Sequence, residues 1–359
     1  MQKEAPGKMR EAMIVIGEGK MPRRNFLRNS LGLLAAVPGA GALTASVGRT
    51  SAQPVQQQQV RTQAGSAPLF PGFRQMNIDT SGATIHAVVG GSGPPLLLLH
   101  GHPQTHVMWH KVAPRLAQRF TVVAPDLRGC GDSSKPPDGQ NHFGYSKRAM
   151  AQDFAEVMTH LGFEKFAVGG ADRGARVTTR MTLDYPERVT KASMLDNVPT
   201  HIMMQPRYFT REYVTALHHW FFLIQASPYP EKMIENSLGL YLERSFSRAP
   251  QGSITEEAFA EYRRSFSNPA AIHAACEDYR AGAGIDLDHD AADWNKKITC
   301  PVLALWAEKG TTGRFFNPVL DYWKQKALNV RGRAMPGGHY LAEELPDQIF
   351  EEFNSFFSS

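Results

Sequence analysis

The stretch Gly170-Ala171-Asp172-Arg173-Gly174 does most to restrict how this chain can fold. Two glycines bracket a carboxylate where a strand-like run meets a helix-like one. Lys165 to Gly169 reads as a short buried strand, and Val177 to Tyr185 as the helix after it. Flanking glycines are needed where such a turn is too tight for side chains, and the turn pushes its central residue out over the sheet edge. A hydroxyl at the centre would need a base to activate it. An ionised aspartate needs no deprotonation, so it can displace a leaving group from saturated carbon and form an alkyl ester. The other reading of these residues is a loop aspartate capping the following helix.

Further segments narrow the choice. Pro95 to His100 (PLLLLH) is a continuous apolar run entering Gly101-His102-Pro103. Phe120 to Pro125 leads into Asp126-Leu127-Arg128-Gly129-Cys130-Gly131-Asp132-Ser133, and the strand-like Arg331 to Met335 precedes Gly337-Gly338-His339. With the Gly-x-Asp-x-Gly turn, these resemble the α/β-hydrolase family: its His-Gly-x-Pro turn, its D-x-R-G-x-G-x-S stretch, and its chain order of nucleophile, acid and histidine. From about Phe73 to the C-terminus the chain is similar to the haloacetate and fluoroacetate dehalogenase branch, relatives of epoxide hydrolases and haloalkane dehalogenases. In that branch Arg-Gly-Gly-Arg follows the nucleophile; here it is Arg173-Gly174-Ala175-Arg176. The resemblance implies an α/β fold with a mostly parallel eight-stranded sheet, helices on both faces and a helical cap inserted after the sixth strand. Residues 69–196 and 298–359 would form the core and 197–297 the cap, where strand and helix stop alternating and aromatic residues recur at helical spacing.

The same resemblance implies the site. Asp172 is the nucleophile, His339 the base, and the N–H groups of His102 and Arg173 hold the oxyanion. Arg173 and Arg176 receive a substrate carboxylate, and His219, Trp220 and Tyr279 donate to the departing halide. An epoxide hydrolase usually has an aromatic residue directly after its aspartate, so Arg173 favours an anionic substrate. Residue by residue, the alternatives are arginines paired with surface acids and an aromatic cap core with satisfied polar tips. Two acids end apolar runs and could orient His339: Asp196 after Val189 to Leu195, and Glu308 after Val302 to Ala307. The stretch Leu195-Asp196-Asn197-Val198-Pro199-Thr200 resembles the family segment bearing the acid, which favours Asp196; Glu308 is the rival. Family members commonly have His where this chain has Ala171, and many have an aromatic residue at the position of His102. Both positions border the site and bear on which halide and acid are accepted. The implied reaction is cofactor-free hydrolysis of a short 2-haloacid to the 2-hydroxyacid through an aspartyl ester. The alternatives are an epoxide hydrolase using the same nucleophile and a non-catalytic small-molecule-binding homologue.

Charge limits the partners. Residues 1–52 hold eight Lys/Arg against three Asp/Glu, leaving 31 of each from Gln53 onward. The neutral remainder gives no support to nucleic-acid binding. The basic segment has its own explanation: Arg23-Arg24-Asn25-Phe26-Leu27-Arg28 resembles a twin-arginine export signal, and the apolar stretch Leu31 to Leu43 is too short for a membrane span. Thr50-Ser51-Ala52 offers a cleavage point before the low-complexity tether 53–68, and Met21 is a candidate start. The expected partners are an anionic small molecule and the twin-arginine export machinery, with no stable membrane anchor and a homodimer left open; the expected location is the periplasm. A disordered basic tail on a cytoplasmic enzyme is the alternative. Three cysteines cannot make a disulfide framework, and no histidine has partners at a recognised metal-ligand spacing.

Overall fold

In the computed structural model, residues 61–66 and 69–359 are described; the twin-arginine segment and most of the tether lie outside the described residues. The strands are β1 (Arg61–Ser66), β2 (Arg74–Asp79), β3 (Thr84–Gly90), β4 (Pro95–Leu99), β5 (Thr121–Pro125), β6 (Phe166–Ala171), β7 (Val189–Leu195), β8 (Val302–Ala307) and β9 (Val330–Met335). They form one sheet in the order β1-β2-β3-β5-β4-β6-β7-β8-β9. The first three pair antiparallel, β3 runs antiparallel to β5, and the remaining pairs are parallel. The sheet therefore has nine strands where eight were expected. The extra one, β1, lies within the segment read as tether: low-complexity composition does not stop a chain from adding main-chain hydrogen bonds to an open sheet edge.

The central parallel strands β4, β5, β6 and β8 read as apolar runs because both their faces are covered, whereas the edge strand β9 alternates. Successive residues of β6 demonstrate it: a Cβ on Gly169 would stand 3.1 Å from Phe353 of the C-terminal helix Pro346–Ser358, and one on Gly170 would stand 2.5 Å from Thr178 Oγ1 of the helix Arg173–Asp184. Neighbouring strand residues point to opposite faces, so these helices lie on opposite sides of the sheet. The helix after the elbow begins at Arg173, four residues before the expected Val177, because the chain turns at Asp172 itself.

Between β7 and β8 the chain is helical. Its longest helix, Pro269–Ala283, starts on an Asn268 side chain that accepts the Ala270 N–H, with Pro269 in the first turn where no backbone donor is missed. Counted from β2, this insertion follows the sixth strand. Among the described residues no helix is long and apolar enough to cross a membrane.

Candidate active site

The turn at Asp172 is set by sterics. A Cβ on Gly174 would approach Leu99 O to 2.4 Å and one on Gly170 would approach Gly174 O to 2.4 Å, so both positions exclude side chains. Asp172 takes φ 46° and ψ −111°, a left-handed conformation that costs a non-glycine residue about 1–3 kcal/mol and is sustained by the surrounding packing. Its Oδ2 accepts the His102 N–H at 3.0 Å. The Arg173 N–H, in the first helical turn, has no acceptor among the described residues. Burial opposes ionisation of Asp172, but the charges of His339, Arg173 and Arg176 and the His102 N–H outweigh it and hold the carboxyl below its usual range.

His339 Nδ1 lies 2.6 Å from Asp196 Oδ2, and Asp196 Oδ1 accepts the Ala307 N–H at 3.0 Å. Glu308, the rival acid, is exposed and has no side-chain partner among the described residues. Burial would lower the His339 pKa; the hydrogen bond and charge of Asp196, then the charge of Asp172, raise it to about 9. Glu344 braces the histidine turn by accepting the N–H groups of Gly338 at 2.5 Å and Tyr340 at 2.9 Å. Asp196→Asn should slow turnover by at least about a hundred-fold by releasing the imidazole, whereas Glu308→Gln should stay within about threefold of wild type. Steady-state rates of the two variants decide between the acids, and a crippled Glu308→Gln enzyme would reverse the assignment.

The two arginines are not equivalent, which corrects the expectation that both stand free for a substrate. Arg173 is buried and bound to Asp278, through Nε to Oδ2 at 2.7 Å and through Nη2 to Oδ1 at 2.9 Å and the carbonyl oxygen at 2.6 Å. Asp278 is held in turn by Lys147, which also pairs with Asp286 at 3.3 Å. Gly282 leaves room for this guanidinium, since a Cβ there would come to 3.0 Å from Nη2. Only Nη1 of Arg173 lacks a partner. Arg176 is also buried, but its contacts are neutral: Nη1 donates to Thr200 Oγ1 at 2.7 Å, Nη2 to Met203 Sδ at 3.0 Å, and Nε has no partner. It forms no ion pair with any described carboxylate, and burial together with repulsion from Arg173 lowers its pKa.

Asp172, Arg176, Asp196, His339, His219, Trp220, Tyr279 and His102 all line one cavity of about 1020 Å³. Tyr279 packs edge-on against Trp220, His219 and His102 with ring centroids 4.9, 5.8 and 5.3 Å apart. Burial and the Asp172 charge keep the Tyr279 phenol protonated, and burial lowers His219 to about 3, so that both present neutral groups. No described residue accepts a hydrogen bond from the Trp220 or Tyr279 side chain. His102 Nε2 lies 2.9 Å from Tyr241 Oη, and burial lowers its pKa to about 4.

Sequence reasoning missed Asp278, Glu344, Thr200 and Met203. Asp278 directly precedes Tyr279 and was open to notice; the others carry no local signal. Outside the cavity, folding also gathers two sets of potential metal ligands, His86 with His106 and Asp126, and Asp138 with His273 and Glu277. Protein partners engage both: Asp126 takes the ring and backbone of His106 at 2.8 Å, and Arg280 sits 2.7 Å from Glu277.

Comparison with known proteins bears on the family and the fold. Residues 94–344 match the alpha/beta hydrolase fold family. The chain is 42% identical over 295 residues to the fluoroacetate dehalogenase of Burkholderia sp, covering 81% of this chain and 95% of that protein. It is 35% identical to the soluble epoxide hydrolase of Corynebacterium sp. (strain C12), covering 77% and 95%. Among solved structures, ALR0039 of Nostoc sp PCC 7120, a proposed alpha/beta hydrolase, superposes with a TM-score of 0.77 at 52% identity, covering 79% of this chain and 98% of that one.

Proposed function

The chain belongs to the alpha/beta hydrolase fold family, whose relatives support a hydrolase acting on a carbon–halide bond or an epoxide, and within that class we propose that it dehalogenates a short 2-haloacid. The observation that carries this reading is Arg176: a buried cation with no carboxylate partner lines the same cavity as an ionised nucleophile, and a carboxylate-bearing substrate supplies the missing countercharge.

In the first step, Arg176 holds the substrate carboxylate, and Arg173, which does not line the cavity and is bound to Asp278, adds only its charge from behind. Asp172 attacks the α-carbon opposite the halogen, a C–O bond forms, and the C–X electron pair leaves with the halide. Neutral His219, Trp220 and Tyr279 donors receive that anion without competing for the carboxylate. In the second step, His339, oriented by Asp196, takes a proton from water as the oxygen attacks the Asp172 ester carbonyl. The N–H groups of His102 and Arg173 hold the oxyanion, and collapse releases the 2-hydroxyacid. Attack at the ester carbonyl leaves the α-carbon with one inversion. Esterification also prepares the base: it removes the Asp172 charge, one of the influences that raise His339, so the imidazolium sheds its proton more readily once the intermediate exists.

Arg176→Leu tests the assignment. A charge-assisted hydrogen bond is worth about 1.5–3 kcal/mol, so kcat/KM for chloroacetate should fall roughly ten- to a hundred-fold. Chloroacetamide keeps the shape and leaving group without the charge and should be spared. Equal losses on both substrates, or wild-type enzyme that prefers the amide or opens epoxides to diols, would put the epoxide-hydrolase alternative ahead.

We also propose that residues 1–52 direct export through the twin-arginine route, on the strength of Arg23-Arg24-Asn25-Phe26-Leu27-Arg28. Cell fractionation should find tagged protein in the periplasm, and Arg23→Lys with Arg24→Lys should retain it in the cytoplasm. Unchanged delivery would exclude that route.

A further inference from the structure

The cavity is far larger than chloroacetate, an anion of five non-hydrogen atoms; about 1020 Å³ matches the upper range for pockets that take drug-sized ligands. Besides Arg176 it is lined by five cations, none with a part in the chemistry above: Arg211, which faces Glu212, Lys309 on the turn after β8, and three further arginines. Arg244 belongs to the cap helix Leu238–Phe246, Arg248 follows it, and Arg314 belongs to the short helix Thr311–Phe315 after β8, so cap and core both contribute. None of the three forms an ion pair with a described carboxylate. Their contacts are neutral: Arg244 Nη1 donates to Ser247 Oγ at 3.1 Å, Arg248 Nη2 to the Ala216 carbonyl at 3.1 Å, and Arg314 lies over the Phe315 ring. The cavity's other acids are engaged. Glu212 pairs with Arg211 at 3.3 Å, Glu344 holds the Gly338 and Tyr340 N–H groups, and Asp172 and Asp196 belong to the catalytic set. The three arginines also repel: after partial burial, the charges of Arg244 and Arg314 lower the Arg248 pKa. Unpaired like charges are destabilising by themselves and become favourable when an anion joins them.

We propose that Arg244, Arg248 and Arg314 form a second anion subsite, and that the preferred substrate is a dianion: a 2-halo acid bearing a second anionic group at the far end of its chain. This rests on the haloacid reading and extends it. Arg176 then holds the carboxylate beside the reacting carbon, and the mouth arginines hold the distal one while the chain occupies the volume between. Guanidinium groups pair bidentately with carboxylate and phosphonate alike, so the distal group is defined by its charge and planar acceptor pair.

The test uses 2-chloro diacids of increasing chain length, their ω-methyl esters and the matching ω-phosphonates. Wild-type enzyme should favour one diacid or phosphonate length over its ester by roughly ten- to a hundred-fold in kcat/KM. Arg244→Gln/Arg248→Gln/Arg314→Gln should abolish that preference while chloroacetate changes by less than about threefold. These side chains are exposed, so the variant should fold, and Arg248→Gln alone should show a partial loss. No preference at any length overturns the subsite; so does an equal fall for chloroacetate and diacid, which would mean long-range attraction of anions only. Binding of unreactive glutarate, adipate and pimelate against their monomethyl esters, by titration calorimetry on both proteins, decides the subsite separately. A diacid preference lost in the variant upholds it even if no haloacid is turned over, a result that would reject the dehalogenase reading alone.

Discussion

Asp172→Asn is expected to remain folded and to lose halide release by at least about four orders of magnitude, the scale observed when a nucleophile is removed from a preorganised site. The amide is nearly isosteric with the carboxylate and its oxygen still accepts the His102 N–H, which lies at 3.0 Å in the wild type. The elbow does not depend on the charge: Gly170 and Gly174 impose it by exclusion. What disappears is the anionic oxygen that attacks carbon. Removing it also takes from Arg176 its neighbouring negative charge, while Arg173 keeps Asp278, so a shift of a few degrees in melting temperature fits the prediction. Halide release measured beside a thermal melt checks both parts. Retained release by a folded variant would move the nucleophile elsewhere.

His339→Asn should fail at the other step. The first displacement needs only the ionised Asp172, the arginines and the halide donors, so one equivalent of halide should appear in a burst. Breakdown of the ester needs the base, and its loss should slow that step by about a thousand-fold or more. Intact-protein mass spectrometry of the substrate-treated variant should find a carboxymethyl ester, and peptide mapping should locate it on Asp172. In wild-type enzyme, single-turnover ester breakdown should rise with pH, because only neutral imidazole accepts the water proton. Its apparent pKa should lie below the value of about 9 that His339 has beside an ionised Asp172. A His339→Asn protein that turns over freely and accumulates no ester would remove the histidine from this role.

Much of the fold was legible because its causes are local. The runs read as Val189 to Leu195 and Val302 to Ala307 are β7 and β8 to the residue; β8 is hydrophobic throughout, and β7 is buried over its last four residues, as strands covered on both faces are. The elbow could be read because a glycine is demanded wherever a side chain would meet backbone 2.4 Å away. Asp172, His339, His219, Trp220 and Tyr279 could be singled out because each sits within a recognisable motif. The strand β1 could not, because edge pairing depends on main-chain groups that every sequence carries.

By itself, then, the sequence determined the position of the elbow aspartate, the chain order of Asp172, Asp196 and His339 and the alternation of strand and helix, the elbow and the alternation being products of short-range sterics and hydrophobic patterning. Only the tertiary structure decided which acid meets the imidazole. Asp196 and Glu308 both end apolar strands, but the packing of β7 beside β8 puts the Asp196 carboxylate 2.6 Å from His339 and leaves Glu308 in solvent. The fates of the two elbow arginines were decided the same way. They stand three residues apart on one helix, yet Asp278, 105 positions after Arg173, neutralises one and leaves the other unpaired, because a charge acts over ångströms of space and the docked cap determines which acid comes that near.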